Sequence, residues 1–354
     1  MRRYPAWDPP EYLEWSCPPE ELEGYRSRLR ADPARSAHIA TLAGDDLLSL
    51  HEHLLRTRLH DIALKRWVRT GVISKAWLGT GEEAVTVGAV AALDTASDVV
   101  IPMIRNAGAL PMMGMPLVEI FRGYLAAPDS PSGGRDLHLG DLERGVLQPV
   151  SQMGTNVPIA AGLALAFRQR GEGRVALTWV GDGATRCAAC HEGLVTATRL
   201  GVPAVFVLQN NQVALGTPIE RHGAGSLRAW ASAYGIEGLE ADGNNVLDVW
   251  AATRMAVERC RAGRGPVIVY VETFRMGGHA THDEREARDT FDPALFEAWG
   301  RRDPIGLYER YLIGAGFRES ALDDIEARVS TEVDGAADDA LRSFRESKQP
   351  FHVE

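Results

Sequence analysis

Three segments of this chain read as strands that are apolar almost without interruption: "RVALTWVGDG" (174–183), "PAVFVLQNN" (203–211) and "PVIVYVETFRMGGH" (266–279). A strand apolar on both faces must be covered on both faces, which favours a mostly parallel sheet with helices packed above and below. The intervening sequence supplies those helices, among them "NVPIAAGLALAFRQRG" and "ACHEGLVTATRLG", and "DVVIPMI" reads as a further buried strand. The expected fold class is therefore α/β, a mostly parallel sheet flanked by helices. In such sheets ligands bind beyond the carboxyl ends of the strands. All three segments end there in polar clusters: GDG, QNN and FRMGGH.

Outside this alternation the chain changes character. Residues 1–45 are rich in proline and charge and predict an extended N-terminal arm. Residues 46–292 hold the α/β pattern, opening on an amphipathic helix from Asp46 that stops at Gly71. Residues 293–354 read as a helical, amphipathic tail. The net charge of −10, with no basic run, argues against nucleic acid as a partner. The start "MRRYPAWDPPEYLEW" has no apolar stretch behind its arginines, and no apolar run reaches the roughly 18 residues of a membrane span. A cytoplasmic protein that binds no membrane is expected. Of the four cysteines, Cys187 and Cys190 form a C-x-x-C pair, read as two small residues packing one face of a helix. His51, His53 and His60 share no metal-binding face and read as surface or packing residues.

The polar strand ends carry the chemistry. Asp182 lies between Gly181 and Gly183, so backbone can approach a ligand while one carboxylate stays free. Asn210 and Asn211 follow one strand-to-strand crossover later. Aspartate and asparagine at neighbouring strand ends offer hard oxygen ligands of low total charge, which suits Mg²⁺ carrying substrate phosphates. The residues thus point to a metal that holds a diphosphate.

GDG followed at this distance by NN resembles the thiamine-diphosphate motif. The series "GEEAVTVGAVAALD", "IRNAGAL", "GRDLHLG", "SQMGTNVPIAAGLALA", "GDGAT", "HEGL", "QNNQVALGTP", "DGNNVLDVW", "GPVIVYVETFRMGGHATHD" and "RDPIGLYERYL" runs over about residues 46 to 320. It resembles the alpha subunit of the thiamine-diphosphate-dependent decarboxylating component of 2-oxo acid dehydrogenase complexes, of the branched-chain or pyruvate type. The resemblance implies a thiamine-diphosphate-binding fold and assigns roles within it. Asp182, Asn211 and the Val213 carbonyl would bind Mg²⁺, and Arg105 and Arg275 the diphosphate. Gly181, Gly183 and Ala184 would line the cofactor beside Asp182. Ser151 and Met153 would meet its aminopyrimidine, with K⁺ near Ser151–Thr155. His279 would be the catalytic histidine, and His138 would line the same entrance.

The chain also departs from that family. Ile104 stands where a tyrosine usually precedes the arginine, and Lys75, Ala76 and Trp77 replace aromatic or histidine pocket residues. Ala280 replaces the serine that is phosphorylated in the mammalian enzymes, so that switch is expected to be absent.

The resemblance further implies oxidative decarboxylation of a 2-oxo acid, branched-chain or pyruvate, with acyl transfer to a lipoyl group on an acyltransferase core. The family carries its activating glutamate on a separate beta chain. No second α/β domain is left here to supply one, so an α₂β₂ heterotetramer is expected. The alternative is a specialised thiamine-dependent decarboxylase or carboligase that uses no lipoyl partner.

Overall fold

The computed structural model describes residues 15–223 and 225–347. Its strands are β1 (Val99–Ile101), β2 (Ala176–Gly181), β3 (Ala204–Asn210), β4 (Val213–Ala214), β5 (Thr217–Pro218), β6 (Glu237–Asp242) and β7 (Val267–Glu272). Five of them form one sheet in the order β1-β2-β3-β7-β6, and every pairing in it is parallel. The short β4 and β5 pair antiparallel as a hairpin just beyond β3.

Side chains alternate across the sheet, and both faces are dry. Leu177, Trp179, Val205, Val207, Val267 and Val269 enter the larger core with the helices Gly44–Arg69, Glu83–Ala91 and Val246–Arg261. Ala176, Val180, Phe206, Leu208, Ile268 and Tyr270 face the opposite way, against the helices Asn156–Arg170 and Ala188–Leu200. This double burial is what the unbroken apolar strands require. Cys190 is buried on the second face and Cys187 caps the start of its helix, and both are free thiols. His51 and His60 are buried on the helix Gly44–Arg69.

Two features differ from the sequence reading, and the tail is helical as read. Residues 1–14 of the expected extended arm lie outside the described residues, but residues 19–39 form two helices, Pro19–Arg30 and Pro33–Ile39. Proline there opens a helix rather than extending the chain: Pro19 and Pro33 occupy first-turn positions, where a missing N–H costs nothing, and Asp32 caps the second helix. The edge strand β6 carries no apolar run and was not expected. The tail is helical over Pro293–Gly300, Pro304–Gly314 and Glu319–Ser347, yet Ile305, Leu307, Tyr308, Leu312 and Val329 belong to the main core. Among the described residues no helix is long and apolar enough to cross a membrane.

One buried ion cluster ties the tail to the domain. The Arg58 guanidinium, almost wholly buried, donates to Glu83 and, from both Nη atoms at 3.1 Å, to Asp303 Oδ2. Asp303 in turn caps the helix Pro304–Gly314 through Ile305 N and Gly306 N. Removing one partner of such a cluster strands the others in low dielectric. Arg58→Met is therefore expected to destabilise the protein by about 3–5 kcal/mol in chemical denaturation. A loss below about 1 kcal/mol, the range of an exposed pair, would show that the cluster does not lock the tail.

Candidate active site

The register of the sheet lines up Gly181 with Gln209 and Gln209 with Val271, so β2, β3 and β7 end level and side by side. Asp182, Asn211 and Arg275 leave those ends within a few residues and are all buried. Inside the sheet a polar side chain would face a dry layer; one step beyond, it meets only other strand ends. Gly183 serves this crowding, since a Cβ there would lie 2.8 Å from the Ala214 Cβ. The glycine admits protein backbone as well as any ligand.

Asp182 Oδ2 lies 3.0 Å from His222 Nε2. Burial pushes the Asp182 carboxyl above its usual range, against the lowering pull of the His222 imidazole. Asn211 Oδ1 takes the Val213 N–H at 3.4 Å, and its Nδ2 donates to Glu82 Oε2 at 3.0 Å. Arg275 threads beneath both: its Nη1 donates to the Val213 carbonyl (3.3 Å), Nη2 to Leu215 (2.7 Å) and Nε to Gly277 (3.0 Å). Burial, then the neighbouring Arg105 charge, lowers the Arg275 pKa to about 10.

A second layer comes from residues 76–83, which run beside the segment after β7. Ala76 N donates to Thr281 Oγ1 (3.0 Å) and Thr281 N to the Ala76 carbonyl (2.9 Å). Gly81 sits at φ +91°, and a Cβ there would lie 2.6 Å from the Met276 side chain. Only glycine fits that approach. The tight passage delivers Glu82 into the interior. Arg105 closes the layer: Nη1 donates to the Leu78 carbonyl at 2.8 Å and lies 3.5 Å from Glu82 Oε1, while Nη2 lies 3.4 Å from His279 Nδ1. Desolvation, followed by Arg105 and Arg275, lowers the His279 pKa to about 4.

The structure thus joins Asn211, Val213, Arg105, Arg275 and His279 through hydrogen bonds and the Arg105–Glu82 ion pair, while Asp182, buried at the end of β2, bonds His222 instead. It does not extend that cluster to His138, Ser151 and Met153. His138 pairs with Asp136 Oδ1 (2.7 Å) and Ser151 Oγ (3.2 Å), and Met153 is exposed. His138 lines an apolar cavity together with Met103, Ile104 and Leu139. Ala184 is buried at the start of the turn after Asp182, and Thr155 immediately precedes the helix Asn156–Arg170. Lys75 is exposed, its Nζ 5.2 Å from the Trp77 ring centroid.

Of two further residues here, the sequence allows His222 to approach the site without setting it apart, and nothing in it marks Glu82. His222 sits on a four-residue helix, Ile219–His222, with nothing in its spacing to distinguish it. Glu82 stands beside Glu83 at a helix start, where acids are expected for the helix dipole alone.

The cluster suits a hard cation bearing an anionic ligand. Among the described residues no three His, Cys, Asp or Glu side chains converge to bind a metal. An ion here would rest on one carboxylate, one amide and backbone oxygen, a set that leaves room for phosphate oxygens. The His222 Nδ1 and Glu82 Oε1 atoms are buried without a hydrogen-bond partner, so the interior is polar beyond its own needs.

Comparison with known proteins places the chain. Residues 52–349 match the family described as the dehydrogenase E1 component. The chain is 29% identical over 307 residues to the 2-oxoisovalerate dehydrogenase subunit alpha of Bacillus subtilis, covering 83% of this chain and 92% of that one. It is 30% identical over 312 residues to the pyruvate dehydrogenase E1 component subunit alpha of Staphylococcus aureus, covering 85% and 80%. A Staphylococcus epidermidis protein of the same name matches equally well. The chain belongs to the dehydrogenase E1 component family.

Proposed function

We propose that this chain is the alpha subunit of a 2-oxo acid dehydrogenase E1 component, acting with a beta subunit and an acyltransferase core in oxidative decarboxylation. The family match supports the reaction class and thiamine diphosphate. The observation that carries the site is the burial of Asp182, Asn211 and Arg275 at three adjacent strand ends, with Arg105 and His279 in contact beside them.

Within the proposal, Asp182, the Asn211 amide and the Val213 carbonyl hold Mg²⁺, and the turn 151–155 seats K⁺. Arg105 and Arg275 hold the diphosphate; each already has donors fixed by backbone carbonyls, so both guanidiniums are oriented in advance. Thiamine diphosphate, when bound, supplies the electron sink for loss of CO₂. His279 handles the proton. A guanidinium can only donate, so His279 Nδ1 faces Arg105 as an acceptor and the neutral ring carries its proton on Nε2. Met153 and the Ser151–His138 pair border the entrance. The described residues contain one five-stranded parallel sheet, which supports completion of the site by a beta chain in an α₂β₂ assembly.

The test is to co-express the chain with a beta-type subunit and supply a panel of 2-oxo acids, Mg²⁺ and thiamine diphosphate, with and without a lipoyl domain. Acyl-lipoyl product is expected and names the substrate; turnover indifferent to the lipoyl domain would favour the specialised decarboxylase or carboligase. In that complex Asp182→Ala is expected to abolish cofactor binding, and retained affinity would end the metal assignment. His279→Ala is expected to keep the cofactor and impair acyl transfer.

The depressed His279 pKa gives a further check. Between the usual 6.5 and about 4, the unfolded chain binds a proton at this site that the folded chain does not. Folding therefore weakens as pH falls through that window, with no further change from this residue below it. An NMR titration of the cofactor-free chain is expected to place His279 at about 4; a midpoint near 6.5 would contradict its placement against the two arginines.

A further inference from the structure

The cluster contains one acid, Glu82, to which the proposed reaction gives no task. Its side chain is 1% exposed. An interior carboxylate costs more than an apolar residue of the same volume, so packing alone does not account for it. Its contacts have a single sense. A carboxylate only accepts, and Oε2 accepts from two amides, Gln209 Nε2 and Asn211 Nδ2. Both amides are thereby oriented. Gln209 must turn Oε1 the other way, where it accepts from Asn106 Nδ2 at 3.0 Å, and Asn106 Nδ2 also lies 2.8 Å from Thr86 Oγ1. Asn211 must turn Oδ1 away from Glu82, to the side where the Val213 N–H meets it. The second carboxylate oxygen faces Arg105 Nη1 at 3.5 Å, so the acid presents an acceptor on both edges.

We infer that Glu82 is a positioning residue that fixes the Asn211 amide with its oxygen, and not its nitrogen, toward the metal, on the reading of the site proposed above. An asparagine free to flip can turn its amide N–H₂ toward a cation, and a donor cannot ligate. Glutamine cannot substitute. Turning its oxygen toward Asn211 puts its N–H against the Arg105 guanidinium; turning its N–H toward Asn211 inverts the amide that matters.

That logic specifies a swap. In the heterotetramer, Mg²⁺ is titrated at fixed thiamine diphosphate and binding is followed by quenching of tryptophan fluorescence, without turnover. Glu82→Gln is expected to raise the Mg²⁺ half-saturation by about tenfold or more, the effect of losing a charge-assisted ligand contact. Adding Asn211→Asp is expected to restore it to within about threefold, because a carboxylate shows oxygen to the metal in either rotamer and can accept from the amide that the first substitution introduces. A merely structural role for Glu82 predicts no such rescue. A single variant with unchanged Mg²⁺ dependence, or a double variant no better than the single, overturns the inference. If the single variant does not fold, the double variant against wild type decides by the same threefold and tenfold limits. Failure of the wild-type complex itself to bind Mg²⁺ and thiamine diphosphate would instead overturn the proposed function.

Discussion

A strand buried on both faces gathers most of its polar side chains where it leaves the sheet, and the site depends on that constraint. β2, β3 and β7 are neighbours because β7 inserts between β3 and β6. Their side chains are consumed by two apolar layers along most of their length, so the polar residues they carry gather at one end. The parallel register then decides which polar residues meet. Level endings place Asp182, Asn211 and Arg275 side by side without any long loop to position them. A slip of one residue would turn each of these side chains to the wrong face.

Charge is arranged there with a consistent sense. Two arginines lie close enough to lower the proton affinity of their neighbours: Arg105 acts on Arg275, and both act on His279. The acids Asp182 and Glu82 stand on the β2–β3 side and do not neutralise His279 directly. The arginine side is desolvated and sets two guanidiniums against the Glu82 carboxylate, whose Oε1 lies 3.5 Å from Arg105 Nη1, and the Asp182 side holds a carboxylate whose burial raises its pKa. A lone anion would satisfy the first and a lone cation the second. On the proposed function, a metal diphosphate would satisfy both.

The legible parts of this arrangement were those in which one local stretch carries both the structural and the chemical signal. GDG, QNN and FRMGGH each follow an unbroken apolar strand, so the same residues that reveal the sheet also mark its ends. β6 was illegible because it is largely exposed; its sequence, EGLEAD, sets glutamates opposite Val267 and Tyr270 of β7. The two N-terminal helices were hidden by their own starting prolines. Glu82 was hidden, and His222 left undistinguished, for another reason. Each acts by touching a residue far away in sequence, Asn211 or Asp182, and no periodicity encodes a contact made across a crossover.

The inner site and its rim are built to different tolerances. Residues 76–81 and 274–281 bond to each other at both ends, through Ala76 with Thr281 and through the Thr80 carbonyl with Met276 N at 3.4 Å. Arg105 then pins both segments, holding the Leu78 carbonyl on one and the His279 carbonyl, at 3.4 Å, on the other. A change at Arg105 would therefore move His279 and the Glu82 carboxylate together. Lys75 and Trp77 lie just outside this lock, one exposed and the other half-buried, with the ammonium set over the indole. Ile104 lines an apolar cavity rather than bonding into the cluster. These positions, at which the chain departs from its family, are thus ones the polar network does not constrain. On the proposed function, substrate preference can vary there while the residues assigned to the cofactor keep their geometry.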